Sequence, residues 1–174
     1  TGSARAGAAE MAFLRAEAKR LGVGLVASAD SYVRLAAAAR GTAMAGQGVR
    51  DIFTATAEAS TVLRLSADKT ALVIRALEQM VSKGTVSMEE LKLQMGDQIP
   101  GTMRVAAKAM GMTTEEFIKM VSEGKVLSEE FLPKFARAMR EEFAGGIEDA
   151  SASAAANFTR LSNAIDEMEQ KIAR

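Results

Sequence analysis

The chain has no cysteine, no histidine and no tryptophan, and only two prolines among its 174 residues. Each absence removes a class of chemistry. Without Cys or His there is no serine or cysteine triad, no thiolate or imidazole metal site, and no haem ligated by either. Without Cys there are no disulfides, which suits a reducing compartment but does not require one. No uncharged run exceeds ten residues, short of the roughly 18 apolar residues a membrane-spanning helix needs, and the start lacks the apolar core of a signal peptide. An excess of one charge is missing too. The 22 Lys+Arg balance 22 Asp+Glu, so no basic surplus draws the chain to nucleic acid or anionic lipid.

What remains is rich in helix formers. Hydrophobic residues make up 48% and aromatics only 5%, enough for a core, and alternating β-branched runs are almost absent. The chain therefore reads as all-α, a compact multi-helix bundle of about eight helices. Helix 1 is expected from about Ala4 to Leu21, with Ser3 as candidate N-cap and a stripe of Met11, Leu14, Ala18 and Leu21. Helix 2 covers about Leu25 to Ala39 and groups Tyr32, Leu35, Ala36 and Ala39. The Gly-dense stretch 41–48 reads as a connection. Helix 3, about Gly48 to Leu63, should bury Val49, Ile52, Phe53 and Ala57.

Helix 4 begins after Ser66 as N-cap, and its apolar face of Leu72, Val73, Ala76, Leu77, Met80 and Val81 ends near Gly84. Ser87 and Glu90 have capping-box spacing for a short helix 5, and Thr113 and Glu116 repeat it for helix 7. Between them, helix 6 starts near Pro100 and ends at Gly111. Helix 8 runs from about Ser128 to Ala144, with Phe131, Phe135, Met139 and Phe143 on one side and Pro133 in its first turns. Gly145-Gly146 then breaks the chain. Beyond it Ile147, Ala150, Ala154, Phe158, Leu161, Ile165, Met168 and Ile172 recur every three or four residues, a coiled-coil-like seam with a stutter near Ala154. Residues 1–140 carry 19 basic and 15 acidic side chains, and 141–174 carry 3 and 7, so the last segment is net acidic.

An internal repeat joins helices 4 to 5 and 7 to 8. Residues 80–91 align without gaps with 120–131 and are identical at seven of twelve positions. Each copy ends a helix, turns on a glycine, places a Val at the corner and starts a new helix with two acids facing its positive dipole end. These helix-turn-helix corners are the nearest approach to a nucleic-acid motif, and the acids at both corners oppose that use. The carboxylate pairs Glu89/Glu90 and Glu129/Glu130 raise a second alternative, a carboxylate-only cell-wall hydrolase. Neighbouring side chains on a helix do not face each other, so capping explains them better. Stretch 41–48 lacks the Gly-Lys-Ser/Thr of a phosphate loop. Arg34, Arg40 and Arg50 could meet an anion but fit ordinary solvated positions, and most of the 11 Met lie on core stripes.

A long ordered series adds a resemblance. It runs Tyr32-Val33-Arg34-Leu35-Ala36-Ala37-Ala38-Ala39-Arg40-Gly41-Thr42, Asp51-Ile52-Phe53 with Ala59-Ser60-Thr61, Leu65-Ser66-Ala67-Asp68 and the 79–91 corner. It continues through Gln98-Ile99-Pro100-Gly101 and Ala109-Met110-Gly111-Met112-Thr113 to Gly124–Phe135, with Phe131-Leu132-Pro133-Lys134-Phe135. Over residues 10–143 the chain resembles the N-terminal domain of phage and prophage tail tape measure proteins. The resemblance implies a non-enzymatic structural module of the virion tail, present in the host cytoplasm during assembly, that sets tail length and templates tail-tube polymerisation. It implies tail-tube, baseplate or tail-tip proteins and tail assembly chaperones as partners. It brings no catalytic, cofactor-binding or metal-binding residue and no cofactor. The expected organisation is a lead-in at 1–9, the helical domain at 10–144, and the Gly-Gly break and start of a longer helix at 145–174. The seam at 147–174 is the expected route to a homo-oligomer, with neither nucleic acid nor a membrane span expected in this segment. The opening Thr1-Gly2-Ser3 without Met is what a piece cut from a longer chain would show.

Overall fold

A computed structural model describes residues 2–172. Among them nine α-helices follow in order: α1 (Gly2–Leu21), α2 (Leu25–Ala38), α3 (Gln47–Val62), α4 (Ala67–Lys83), α5 (Thr102–Met110), α6 (Thr114–Ser122), α7 (Ser128–Phe143), α8 (Ile147–Ser151) and α9 (Ala154–Ile172). A π-helical segment, Glu89–Met95, stands between α4 and α5, and a 3-10 turn, Ala144–Gly146, between α7 and α8. The described residues contain no strand, so the all-α reading holds.

The bundle is organised around α3. Every residue from Ile52 to Ser60 is buried, far more than the single apolar face the sequence pattern suggests. The reason is size: Thr54, Ala55, Thr56, Ala57, Ala59 and Ser60 are small enough for neighbours to approach from all sides, and α1, α2, α4, α7 and α8 all pack on this helix. Buried hydroxyls are satisfied within the helix where they can be, as when Thr56 Oγ1 donates to the Ile52 carbonyl at 2.8 Å. On α4 the buried face is Val73, Ile74, Ala76, Leu77, Met80 and Val81, while Leu72 is 49% exposed. Met11 likewise sits at the solvent edge of the α1 stripe that Leu14, Ala18 and Leu21 bury.

Local signals account for most helix ends. Ser66 Oγ accepts from the Lys69 amide at 3.3 Å, capping α4, and Thr113 and Glu116 form a complete capping box at the start of α6. Ser3 falls within α1, its side chain outside the described ones, and α1 runs unbroken past residue 9. The segment expected as a short α-helix from Ser87 is instead π-helical, with Gly96 N–H donating to the Leu91 carbonyl at 3.1 Å. The wide turn closes on a glycine for a steric reason. A Cβ at Gly96 would fall 2.3 Å from the Lys92 carbonyl oxygen. After α7 the chain does not run on as one seam. Gly146 presses against Val62, α8 docks on α3 and α1, and residues 152–153 interrupt the helix before α9.

Candidate interaction surface

The two copies of the repeat meet. Gly84 (φ 74°) and Gly124 (φ 67°) end α4 and α6 in left-handed turns, and the residues that follow meet in a single antiparallel bridge. Val86 N–H donates to the Val126 carbonyl at 2.9 Å and Ser128 N–H to the Gly84 carbonyl at 3.0 Å, flanking Thr85 opposite Leu127. Val86 and Val126 are each 1% exposed and plug the junction. The repeat thus joins its two corners through a short backbone seam, with the valines inside the bundle and the glycine turns at the surface.

The acids of the two copies have different fates, and the cause is two aligned positions. Lys83 and Ser87 in the first copy stand where the second has Glu123 and Leu127. Lys83 Nζ and Ser87 Oγ both donate to the Glu90 carboxylate, which is fully buried. The expected capping box therefore does not form, because the Glu90 side chain is turned toward the preceding corner. In the second copy Glu123 pairs with Lys125 at 2.6 Å, and Glu130 points to solvent and pairs with Lys134 at 2.7 Å. Glu129 accepts from the Ala43 amide at 3.1 Å and so ties down the Gly-rich connection. These partners give the carboxylates structural work in place of the facing arrangement a hydrolase needs. Among the described residues no group of three or more acids could hold a metal ion.

Burial pushes the Glu90 carboxyl up, but the Lys83 ammonium and the Ser87 hydroxyl outweigh it and hold it below the ordinary 4.5. A depressed folded-state value means the contribution is fully present above that ordinary value and disappears as pH falls through the lower folded one. Acid unfolding followed by circular dichroism should therefore show a shallower loss of stability below about pH 4.5 in Glu90→Gln than in the parent. Parallel acid limbs would remove Glu90 from the account.

Of the three arginines singled out in the sequence, Arg50 is engaged. It forks onto Glu10 at 2.7 and 3.2 Å and lies 5.2 Å from the Phe13 ring centroid. Tyr32 donates to the same carboxylate and packs edge-on against Phe53, with centroids 5.2 Å apart. Burial and the adjacent Glu10 push the Tyr32 phenol up to about 12. Arg34 and Arg40 are exposed, 34 in the middle of α2 and 40 just past its end.

Two features escaped sequence reasoning. The first is Glu58, 2% exposed on α3, which accepts from Arg20 of α1 at 2.7 Å and from Arg140 of α7 at 2.9 Å. The second is the way α9 is held. Arg160, braced by Asn157 at 2.8 Å, donates to the carbonyls of Lys19 (2.6 Å) and Arg20 (2.9 Å), a cation at the negative end of α1. Asn163 donates to the Val23 carbonyl at 3.0 Å and accepts from the Leu25 amide at 3.2 Å. The signal for this clasp was the polar series Asn157, Arg160, Asn163 at intervals of three.

Because that polar side faces the bundle, the apolar side of α9 faces out. Phe158, Leu161, Ile165 and Met168 are 50–72% exposed at helical spacing. An exposed contiguous apolar stripe is the informative departure from an ordinary surface helix. The side chains of Ala154 and Ile172, also expected in this seam, lie outside the described residues, and Ala150 is spent on the docked α8.

A family described as "Tape measure protein" matches residues 1–174. The chain is similar to the probable tape measure protein of Salmonella phage Felix O1 (isolate Felix O1-VT1), at 29% identity over 148 residues that cover 84% of this chain and 20% of the phage protein. It thus spans about a fifth of that relative's length. No solved structure matches it. With a match across its whole length, the chain belongs to the tape measure protein family.

Proposed function

We propose that this chain is a structural and assembly module of a phage tail, the folded head of a tape measure whose work is shape and contact. The bundle with α8 docked on it forms the head, and α9 begins the longer helix that sets tail length and around which tail-tube subunits polymerise. An extended helix suits a ruler because each residue adds about 1.5 Å. Tail-tube, baseplate or tail-tip proteins and assembly chaperones are its partners, in the host cytoplasm during assembly and in the virion tail afterwards. It works without catalysis.

The observation that carries the reading, beyond family membership, is the outward apolar stripe of α9. Its occupant is the same stripe of a second copy, since spacings of three and four let two helices interlock knobs into holes. Light scattering of the full chain should give a multimer, and Phe158→Glu with Ile165→Glu should give a monomer with unchanged helical circular dichroism. Monomers in both cases would end the self-association reading. For the tail role, removal of this region from the parent gene should leave phage with absent or misassembled tails. Normal tails of normal length would overturn it.

A further inference from the structure

Between the α1–α2 corner, α3, the start of α4 and the α8–α9 junction lies a cavity of about 640 Å³, in the range that accepts small ligands. Leu21, Phe53, Leu65 and Ile74 give it apolar walls. Two features are not explained by packing. Ser60 is 2% exposed, lines the cavity, and its hydroxyl has no hydrogen-bond partner, an arrangement that a folded interior normally avoids. Arg64 is the one charged residue in the lining and the one described non-glycine residue with positive φ, at 53°.

Both belong to one device. Leu65 N–H donates to the Ser60 carbonyl at 2.9 Å and Arg64 N–H to the Thr61 carbonyl at 3.1 Å, the paired bonds of a Schellman cap in which the left-handed position is usually glycine. Here the cap carries a guanidinium at a strained position, where glycine would be unstrained. Arg64 is exposed and makes no ion pair among the described residues. A buried donor thus lies one helical turn from a free cation on a wall of apolar and hydroxyl side chains that holds no acid among the described residues.

We propose that this cavity binds an apolar-tailed monocarboxylate. The tail packs on Phe53, Leu65 and Ile74, one carboxylate oxygen accepts from Ser60 Oγ, and the charge is met by Arg64. The site is separate from the α9 stripe and does not depend on the tail role.

The test titrates the full chain with decanoate, decanol and decyltrimethylammonium, using calorimetry and amide chemical shifts. Saturable 1:1 decanoate binding, with shifts centred on residues 57–65 and 70–74 and preference over the cation, is the expected result. Arg64→Gly should bind decanoate about tenfold more weakly while melting at or above the parent Tm, because the strain is relieved. Ser60→Ala should weaken binding about fivefold without loss of stability. The proposal is overturned by absence of saturable decanoate binding, by equal binding of the cation, or by undiminished affinity in Arg64→Gly.

Discussion

Removing both guanidinium groups from Glu58, by Arg20→Ala together with Arg140→Ala, is expected to destabilise the protein by about 3–5 kcal/mol in chemical denaturation. The carboxylate is 2% exposed in the middle of the central helix, held at 2.7 and 2.9 Å by side chains from two other helices. The two arginines are 41% and 53% exposed, so their situations differ. If Glu58 is removed, the arginines can turn into water. If the arginines are removed, the carboxylate stays where it is, without a partner and without solvent. Glu58→Met should therefore cost much less than the double arginine variant, because a volume-matched apolar group in place of a buried ion is often close to neutral. Equal losses for the two would mean that the charge network adds nothing beyond packing.

The same network explains how much of the fold could be read from sequence. Helix count and order were legible because each element has a stop or a cap that acts locally: Gly84 and Gly124 at ends, Ser66 and Thr113 at starts. Partner choice is not local. Glu58 sits amid a run of small residues that fits a helix interior, and nothing near it in sequence announces Arg20 or Arg140, 38 and 82 positions away. Glu90 shows the same limit at shorter range. Ser87 and Glu90 have the spacing that caps α6 correctly at Thr113 and Glu116, yet Lys83 from the previous turn claims the carboxylate first. For α9 the apolar periodicity was plain, but which side met the bundle depended on the exposed carbonyls of Lys19, Arg20 and Val23, which only the folded α1–α2 corner supplies.

Phe131→Ala is expected to cost about 3–5 kcal/mol, with the denaturant m-value unchanged. Phe131 is fully buried in the first turn of α7 and stacks on Phe117 of α6 (centroids 5.7 Å apart, 25° between planes) and on Phe135 (4.9 Å, 18°). Truncation therefore loses apolar burial, leaves a void that helices fixed by the paired corners cannot collapse into, and removes two aromatic contacts. Phe131→Leu separates these terms. It keeps most of the volume, so its loss should be about 1–3 kcal/mol, the range of two aromatic pairs beyond their area. The repeat provides an internal control, since Leu91 is the aligned residue of the first copy and is also fully buried. If Leu serves at position 91 only because no ring stack awaits it there, then Leu91→Ala should cost about 2–5 kcal/mol, whereas the Phe-to-Leu penalty belongs to the second corner alone. A loss below about 2 kcal/mol for Phe131→Ala would show that α6 and α7 repack freely, and the paired corners would then not be the rigid seam on which the bundle closes.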